Sequence, residues 1–233
     1  MTIFKLGKIG FCAGNCAIII KRLVREVDFL ARKGLNAEAV VIAAAELSEK
    51  IGFNNLNLLD LAQMLEIKSA SLYNHIANLD ELKERVGLLA TVKLQECLAA
   101  AIAGKYREAA VLALAGAYRG FVKQYPELYK AYIALHFVKT QKPEEQLHSV
   151  VENLFKILDG YELTETQIIH WERILRSTLH GFVVFESAGY FVRRPADLNE
   201  TFKLAVMNVV GSIESTERMN RFKQSDGESN GSC

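Results

Sequence analysis

The sequence is poor in several features that mark whole classes of protein. It has three prolines and four cysteines in 233 residues, and 28 lysines and arginines face 27 aspartates and glutamates. Four scattered cysteines do not form the disulfide framework of a small secreted domain, and they fit a reducing, cytoplasmic location. A net charge of +1 excludes a histone-like polycation and a polyacidic chain. No apolar run reaches the roughly 18 to 20 residues that a membrane-spanning helix needs.

Motifs of catalysis are also missing from the sequence. It contains no HExxH pair, no glycine-rich phosphate loop and no nucleophile elbow. Its histidines are spaced too irregularly to indicate a metal site. We therefore expect no enzyme, no catalytic residue, no cofactor and no metal. Two alternatives stay open, namely a helical adaptor that binds another protein through an apolar face, and a helical-bundle enzyme.

Helix signals, in contrast, are abundant. No segment alternates apolar and polar residues in the manner of a strand, so the fold class is predicted to be all-α. Residues suited to begin a helix recur, and two of them are followed three residues later by the Glu or Gln of a capping box. These predicted caps are Asn36, Asn57, Asn78 with Glu81, and Thr164 with Gln167. Further helices are predicted at 105–125, 127–139, 144–159, 165–188 and 196–218.

Two very short helices follow the first capped one. They are predicted over 58–65 and 69–76, with only Glu66, Ile67 and Lys68 between them. Isolated helices of this length are marginal and survive only by packing. Their arrangement is typical of a helix-turn-helix, in which one helix braces the next as it enters the major groove of DNA. Leu72 and Ile76, four residues apart, are predicted to be the buried side of the second helix.

A family resemblance rests on this region. The stretch LNLLDLAQMLEIKSASLYNHIANLDEL resembles the DNA-binding region of TetR-type (tetracycline-repressor-like) transcriptional regulators, and the match covers residues 35 to about 90. Farther along, LRSTLHGFVVFESAGYF is similar to the subgroup with a Trp-His-Gly ligand domain, although Arg176 stands where that tryptophan belongs. Glu66 stands at a turn position that usually holds glycine, and Leu79 stands where many relatives have lysine. The resemblance implies a cytoplasmic homodimer that binds a palindromic operator as a repressor and is released by a small, largely apolar ligand.

The resemblance also implies an organisation of the chain. It places the DNA-binding domain at residues 31–80 and a helical ligand-binding and dimerisation domain at residues 81–219. The Ser/Gly/Asn/Gln-rich composition of residues 220–233 predicts a disordered tail. Residues 1–30 form an N-terminal extension, for which an accessory first helix and a non-native extension both stay open.

Candidate DNA contacts lie on the second short helix and before the first helix. Ser69 and Ser71 carry hydroxyl groups near a helix N-terminus, which favours a phosphate. Tyr73 and His75 can donate to the DNA backbone, whereas Ala70 and Asn74 can reach a thymine methyl group or an adenine edge. The full predicted set is Arg32, Lys33, Asn57, Lys68, Ser69, Ala70, Ser71, Tyr73, Asn74 and His75.

Charge is distributed unevenly along the chain. Residues 36–80 contain two basic and six acidic residues, a net charge of −4. Residues 1–35 contain seven basic and two acidic residues, a net charge of +5. Because phosphate contacts dominate the affinity of proteins for DNA, Arg32 and Lys33 in this basic arm are predicted to grip the backbone.

The second half of the chain is predicted to sense the ligand and to form the dimer. Aromatic residues with polar atoms can line a mostly apolar pocket, and the candidates are Tyr118, Tyr132, His136 and Trp171. Apolar residues at helical spacing on the last two helices are predicted to form a four-helix dimer interface. They are Leu175, Leu179, Phe182, Phe202, Val206, Val209 and Ile213. If these residues were core within one chain, the protein would be a monomer.

Overall fold

The computed structural model describes residues 35–137 and 145–229, with side chains described over 35–135 and 150–223. These residues form nine α-helices and no strand, as the sequence predicted. No helix in these two ranges is long and apolar enough to cross a membrane. The 1–30 extension, Arg32 and Lys33 lie outside the described residues.

The first three helices form a small N-terminal unit, which we call the head. They are α1 (Ala37–Ile51), α2 (Leu58–Met64) and α3 (Ser69–Leu72), with a single 3-10 turn at Phe53–Asn55. The side-chain oxygens of Asn36 and Asn57 accept from backbone amides of α1 and α2 respectively, which confirms both predicted caps. At Gly52 the chain leaves α1 with φ of 92°, a conformation that L side chains rarely adopt.

Six further helices form the rest of the fold, which we call the body. They are α4 (Leu79–Ile102), α5 (Arg107–Gln124), α6 (Pro126–Phe137), α7 (Glu145–Leu158), α8 (Glu165–Ser187) and α9 (Leu198–Ser229). The predicted capping box at Thr164 and Gln167 is present at the start of α8. One hydrophobic core runs from Val40 and Leu61 in the head through Leu94 to Ile213 in α9. Head and body are therefore connected in two ways: α4 continues the chain from one to the other, and their buried side chains belong to the same hydrophobic core.

The α4 and α6 helices approach each other very closely at Gly87. A Cβ atom at this position would lie 3.0 Å from the backbone oxygen of Ala131 and 3.0 Å from Cβ of Leu135. Only glycine fits there without movement of α6, so this crossing holds the two helices at a short fixed distance.

Three local predictions need correction. The second short helix is regular only over Ser69–Leu72 and then continues as turns. At the start of α4, Asn78 caps as predicted, but the Glu81 carboxylate accepts from the amide of Ala77, so no reciprocal capping box forms. The predicted tail was also placed too early, because α9 continues to Ser229.

The predicted dimer interface is wrong in its residues. All seven side chains are buried within a single chain, from Leu175 and Ile213 at 0% exposed to Phe182 at 9%. The full set is Leu175, Leu179, Phe182, Phe202, Val206, Val209 and Ile213. They pack α8 and α9 against each other and against the other helices of the body. Helical spacing predicts which face of a helix is buried, but not which surface covers it. Other apolar residues of these helices are exposed: Ile174 by 44%, Phe185 by 50% and Leu204 by 63%.

Candidate DNA-binding surface and sensor core

The turn between α2 and α3 is short and tightly bonded. Leu65 ends α2, and the Ile67 amide donates to the backbone oxygen of Ala62 at 3.0 Å. Between them Glu66 has φ of 55°, which explains why this position suits glycine. Ala62 is buried beneath the turn. The geometry is therefore that of a helix-turn-helix, with a strained glutamate at its turn.

The outer surface of α3 and the turns after it carries most of the predicted DNA contacts. Lys68, Ala70, Tyr73 and Asn74 are exposed, whereas the half-buried side chains of Ser69, Ser71 and His75 lie beside them. The opposite side is closed by Leu72 and Ile76, which are 0% and 3% exposed. The structure thus places seven of the predicted residues on one small surface.

Asn57 serves as the predicted cap of α2, and this bonding bears on its second predicted role as a DNA contact. Its side-chain oxygen accepts from the Asp60 amide at 2.9 Å, and its side-chain nitrogen donates to the Asp60 carboxylate at 2.8 Å. Both polar atoms are used within the cap of α2, so we do not retain Asn57 among the DNA contacts.

Sequence reasoning missed a contact that holds α3 from behind. The guanidinium of Arg85 on α4 donates to the backbone oxygen of His75 at 3.3 Å and forms an ion pair with Glu81 at 2.6 Å. The end of the α3 region is thereby attached to the first turns of α4. The i,i+4 spacing of Glu81 and Arg85 was the available signal in the sequence.

Inside the body, three polar side chains form a hydrogen-bonded chain that we call the sensor core. The Tyr118 hydroxyl of α5 lies 2.6 Å from the Tyr129 hydroxyl of α6, which lies 2.5 Å from Nδ1 of His180 on α8. Tyr132 stacks near Tyr129, with ring centroids 5.8 Å apart. Tyr118, Tyr129 and Tyr132 are each about 5% exposed. Three helices therefore meet through side-chain polar groups inside the body.

Burial decides the ionisation of this core. Burial raises the pKa of Tyr118 and of Tyr129 well above the ordinary value, and it raises the pKa of Tyr132 to about 12. Burial also lowers the pKa of His180. The phenols and the imidazole are consequently neutral near neutral pH, which is suited to an uncharged ligand that exchanges hydrogen bonds.

The four predicted pocket residues have different outcomes. Tyr118 belongs to the sensor core and the Tyr132 ring lies beside that of Tyr129, whereas Trp171 is half-buried and packs against the hydrophobic core. The His136 side chain lies outside the described residues. The hydrogen bond between Tyr129 and His180 was not predicted, because no local pattern pairs two residues 51 positions apart.

The residues shared with the Trp-His-Gly signature have physical roles here. His180 ends the polar chain, and Gly189 has φ of 73°, which favours glycine. Glu186 pairs with the buried Arg119 at 2.6 Å, and Arg119 also donates to Asn199 at the start of α9. Burial opposes the ionisation of Glu186, but the hydrogen bonds from Arg119 and Lys123 outweigh it and lower the pKa of its carboxyl group. This ion pair ties α5 to the junction of α8 and α9.

At Arg176, where the resemblance to the Trp-His-Gly subgroup leads us to expect a tryptophan, the structure has an ion pair. Arg176 lies 2.9 Å from the carboxylate of Glu172, one turn earlier on α8. Glu172 is 3% exposed, and this burial raises the pKa of its carboxyl group despite the nearby arginine. The charged pair influences Tyr132 electrostatically, so it borders the sensor core.

Comparison with known proteins identifies the family. Residues 111–209 match the model of the "Tetracyclin repressor-like, C-terminal domain". The chain is 31% identical over 183 residues to the uncharacterized HTH-type transcriptional regulator YobS of Bacillus subtilis, which covers 78% of this chain and 94% of that protein. It is 29% identical to the uncharacterized HTH-type transcriptional regulator Rv0681 of Mycobacterium tuberculosis, over 77% of this chain and 82% of the relative.

Solved structures agree on the fold. A protein of unknown function from Rhodococcus sp. RHA1 superposes with a TM-score of 0.68 at 18% identity, covering 77% of this chain and 96% of that one. TetR from Acinetobacter baumannii AYE superposes with a TM-score of 0.60 at 15% identity, covering 79% and 99%. The helix-turn-helix, the helical body and these relatives together lead to one conclusion: the chain belongs to the TetR family of helix-turn-helix transcriptional regulators.

Proposed function

We propose that this regulator is a dimeric repressor that binds a palindromic operator and is released by a small, largely apolar ligand. The observation that carries the proposal is the α3 surface, where exposed Lys68, Ala70, Tyr73 and Asn74 stand opposite a closed apolar side. A short helix with one buried side and one polar side is the form in which a recognition helix enters the major groove. His180, Glu186 and Gly189 support assignment of the body to the Trp-His-Gly subgroup.

DNA binding can be tested by gel shift and footprinting on the DNA that flanks the gene. Lys68→Ala is expected to weaken binding to all sequences and to reduce the slope of log affinity against log salt by about 1, because one phosphate contact is lost. Lys105→Ala removes the same charge at the far end of α4 and should leave the slope unchanged. Absence of any retardation by the wild-type protein at low salt would overturn the proposal and favour an adaptor.

The basic arm has its own test. Arg32→Ala with Lys33→Ala is expected to weaken binding to every DNA sequence and to flatten its salt dependence, since these residues are proposed to contact phosphates. An unchanged salt slope would show that the arm does not grip the backbone.

The proposed dimer uses the exposed faces of α8 and α9 in place of the buried stripe. Ile174, Phe185 and Leu204 are large apolar side chains on two helices that pack together, and a second copy of the same pair would cover them. Leu204→Glu is expected to yield a 26.0 kDa species by sedimentation, whereas Val92→Glu, a change at an exposed valine of α4, should leave the dimer intact. A 26.0 kDa wild-type species at micromolar concentration would refute the dimer.

The sensor core is the proposed ligand site. Its neutral phenols and imidazole can exchange bonds with a hydroxyl or carbonyl group of a ligand, while the surrounding core takes its apolar part. Trp171 is the only tryptophan of the chain and lies on α8, so its fluorescence reports this region. Apolar candidate ligands that shift this fluorescence and release DNA should do neither in Tyr129→Phe. Equal responses in both proteins would place the ligand elsewhere.

A further inference from the structure

Head and body are joined by two carboxylates, each of which accepts hydrogen bonding from the backbone of the other unit, and we call this set the junction clamp. Glu49, in the last turn of α1, accepts from the Leu128 amide at 2.8 Å and from the Glu127 amide at 3.4 Å. Glu127, in the first turn of α6, accepts in return from the Phe53 amide of the head at 2.8 Å. Glu49 therefore binds two backbone amides of the body and Glu127 binds one backbone amide of the head, across 74 to 79 residues of sequence.

Local structure explains why amides are available on both sides. α6 begins at Pro126, and the first amides of a helix have no partner within it, so Glu49 caps α6 from outside. Its negative charge also lies at the positive end of the α6 dipole. On the other side, Gly52 turns the chain out of α1 and leaves the Phe53 amide directed at Glu127. Phe53 itself is 5% exposed and anchors this turn in the core.

The two carboxylates lie close together, yet their electrostatic situations differ. Burial raises the pKa of Glu49, against the effect of the two amides that it accepts from. Burial also opposes ionisation of Glu127, but hydrogen bonds from Lys130 and from the Phe53 amide outweigh it and lower the pKa of that carboxyl group. Lys130 lies 2.5 Å from Glu127 and compensates part of the shared negative charge. In the clamp, backbone amides bind both carboxylates, and the Lys130 ammonium group serves as the counter-ion of Glu127.

The clamp and the sensor core are carried by the same turn of α6. Leu128, whose amide binds Glu49, precedes Tyr129, whose hydroxyl binds Tyr118 and His180. The close crossing at Gly87 keeps α6 tightly packed on α4. A shift of α6 that breaks the bonds of Tyr129 therefore also moves the amides that hold the head.

We propose that Glu49 and Glu127 are positioning residues, which set the angle of the helix-turn-helix relative to the body and pass movement of α6 to it. The inference rests on the proposed dimeric operator binding, because the angle of each head determines the distance between the two recognition helices. Loss of the clamp changes which half-site spacing the dimer fits, and it leaves the base preference of each head unaltered.

The test uses the full-length protein and duplex DNA selected by the wild-type protein from a random-sequence pool. Base pairs are then inserted or removed between the two half-sites, and a duplex with a single half-site is measured in parallel. Glu49→Gln is expected to lose about tenfold in affinity at the wild-type spacing and to show a flatter dependence on spacing, with single half-site affinity within about twofold of wild type. Glu127→Ala should behave alike, since it removes the carboxylate that accepts from the Phe53 amide.

Glu38→Gln is the matched control. It removes the same charge from an exposed position in the first turn of α1, and it should retain the wild-type spacing preference. A Glu49→Gln protein with wild-type spacing preference would overturn the inference. An equal loss on single and paired half-sites would also overturn it, because that pattern reports a damaged head. If the wild-type protein itself shows no preference for paired half-sites, the proposed dimeric operator binding fails first.

Discussion

The sensor core makes a sharp prediction about stability when its central hydroxyl is removed. Tyr129 is bonded on both sides, to the Tyr118 hydroxyl at 2.6 Å and to Nδ1 of His180 at 2.5 Å. Because burial keeps the imidazole neutral, one ring nitrogen is available as an acceptor, and the Tyr129 hydroxyl can donate to it while accepting from Tyr118. Tyr129→Phe removes both bonds and keeps the ring.

The magnitude follows from burial. Each lost bond contributes about 0.5 to 1.5 kcal/mol net, and a buried hydroxyl left without a partner costs about 1 to 3 kcal/mol. Tyr129→Phe leaves the hydroxyl of Tyr118, which is 5% exposed, without a hydrogen-bond partner. We therefore expect Tyr129→Phe to lower the free energy of unfolding by about 2 to 4 kcal/mol. Tyr118→Phe removes one bond and leaves the Tyr129 bond to His180 in place, so about 1 kcal/mol is expected.

The double variant distinguishes this explanation from a simple loss of contacts. Adding Tyr118→Phe to Tyr129→Phe removes the unpartnered hydroxyl, so the double variant should be more stable than Tyr129→Phe alone, by about 1 kcal/mol. Urea unfolding followed by circular dichroism at one fixed protein concentration measures the three differences, with unchanged m-values as the control. A double variant less stable than both single variants would refute the reasoning.

Three further changes test other parts of the fold. Glu66→Gly should raise the free energy of unfolding by about 0.5 to 1 kcal/mol, because φ is 55° there, and thermal melts would measure it. Gly87→Ala should lower the melting temperature because its Cβ would press on the α6 backbone at 3.0 Å, whereas Gly120→Ala, with open space around it, should raise it through helix propensity. The hydrogen bonds from Arg107 lower the pKa of Glu217 to about 2, so this pair stabilises the fold above about pH 4.5 and loses its effect as pH falls towards 2. Glu217→Gln should therefore be less stable than wild type at neutral pH by a gap that narrows in acid, and a gap independent of pH would contradict the assignment.

Signals that act over a few residues were readable in the sequence. The caps at Asn36, Asn57 and Thr164 lie where they were predicted, because a side chain that bonds an amide two or three residues away needs no tertiary partner. The helix-turn-helix was readable for the same reason, since its pattern of buried and exposed residues spans fewer than 20 positions. At Asn78 the predicted cap is present but the reciprocal bond of the capping box is not, because the Glu81 carboxylate accepts from the amide of Ala77, the residue before Asn78.

Apolar spacing was a weaker guide to what covers a helix face. Leu175, Phe202 and Ile213 were correctly placed on buried faces, but the covering surface is their own chain. The spacing of apolar residues predicts which side chains are buried away from water. Burial of apolar surface is equally favourable within one chain and between two chains, so the spacing does not distinguish them.

The sequence by itself determined that this protein is helical, that it carries a helix-turn-helix, and which side of α3 is polar. Only the tertiary structure decided that Tyr129 joins Tyr118 to His180, and that Glu49 holds the start of α6. The reason is physical. Helix and cap formation depend on neighbours in sequence, whereas these bonds join groups from 11 to 79 residues apart, whose meeting depends on how all the helices pack.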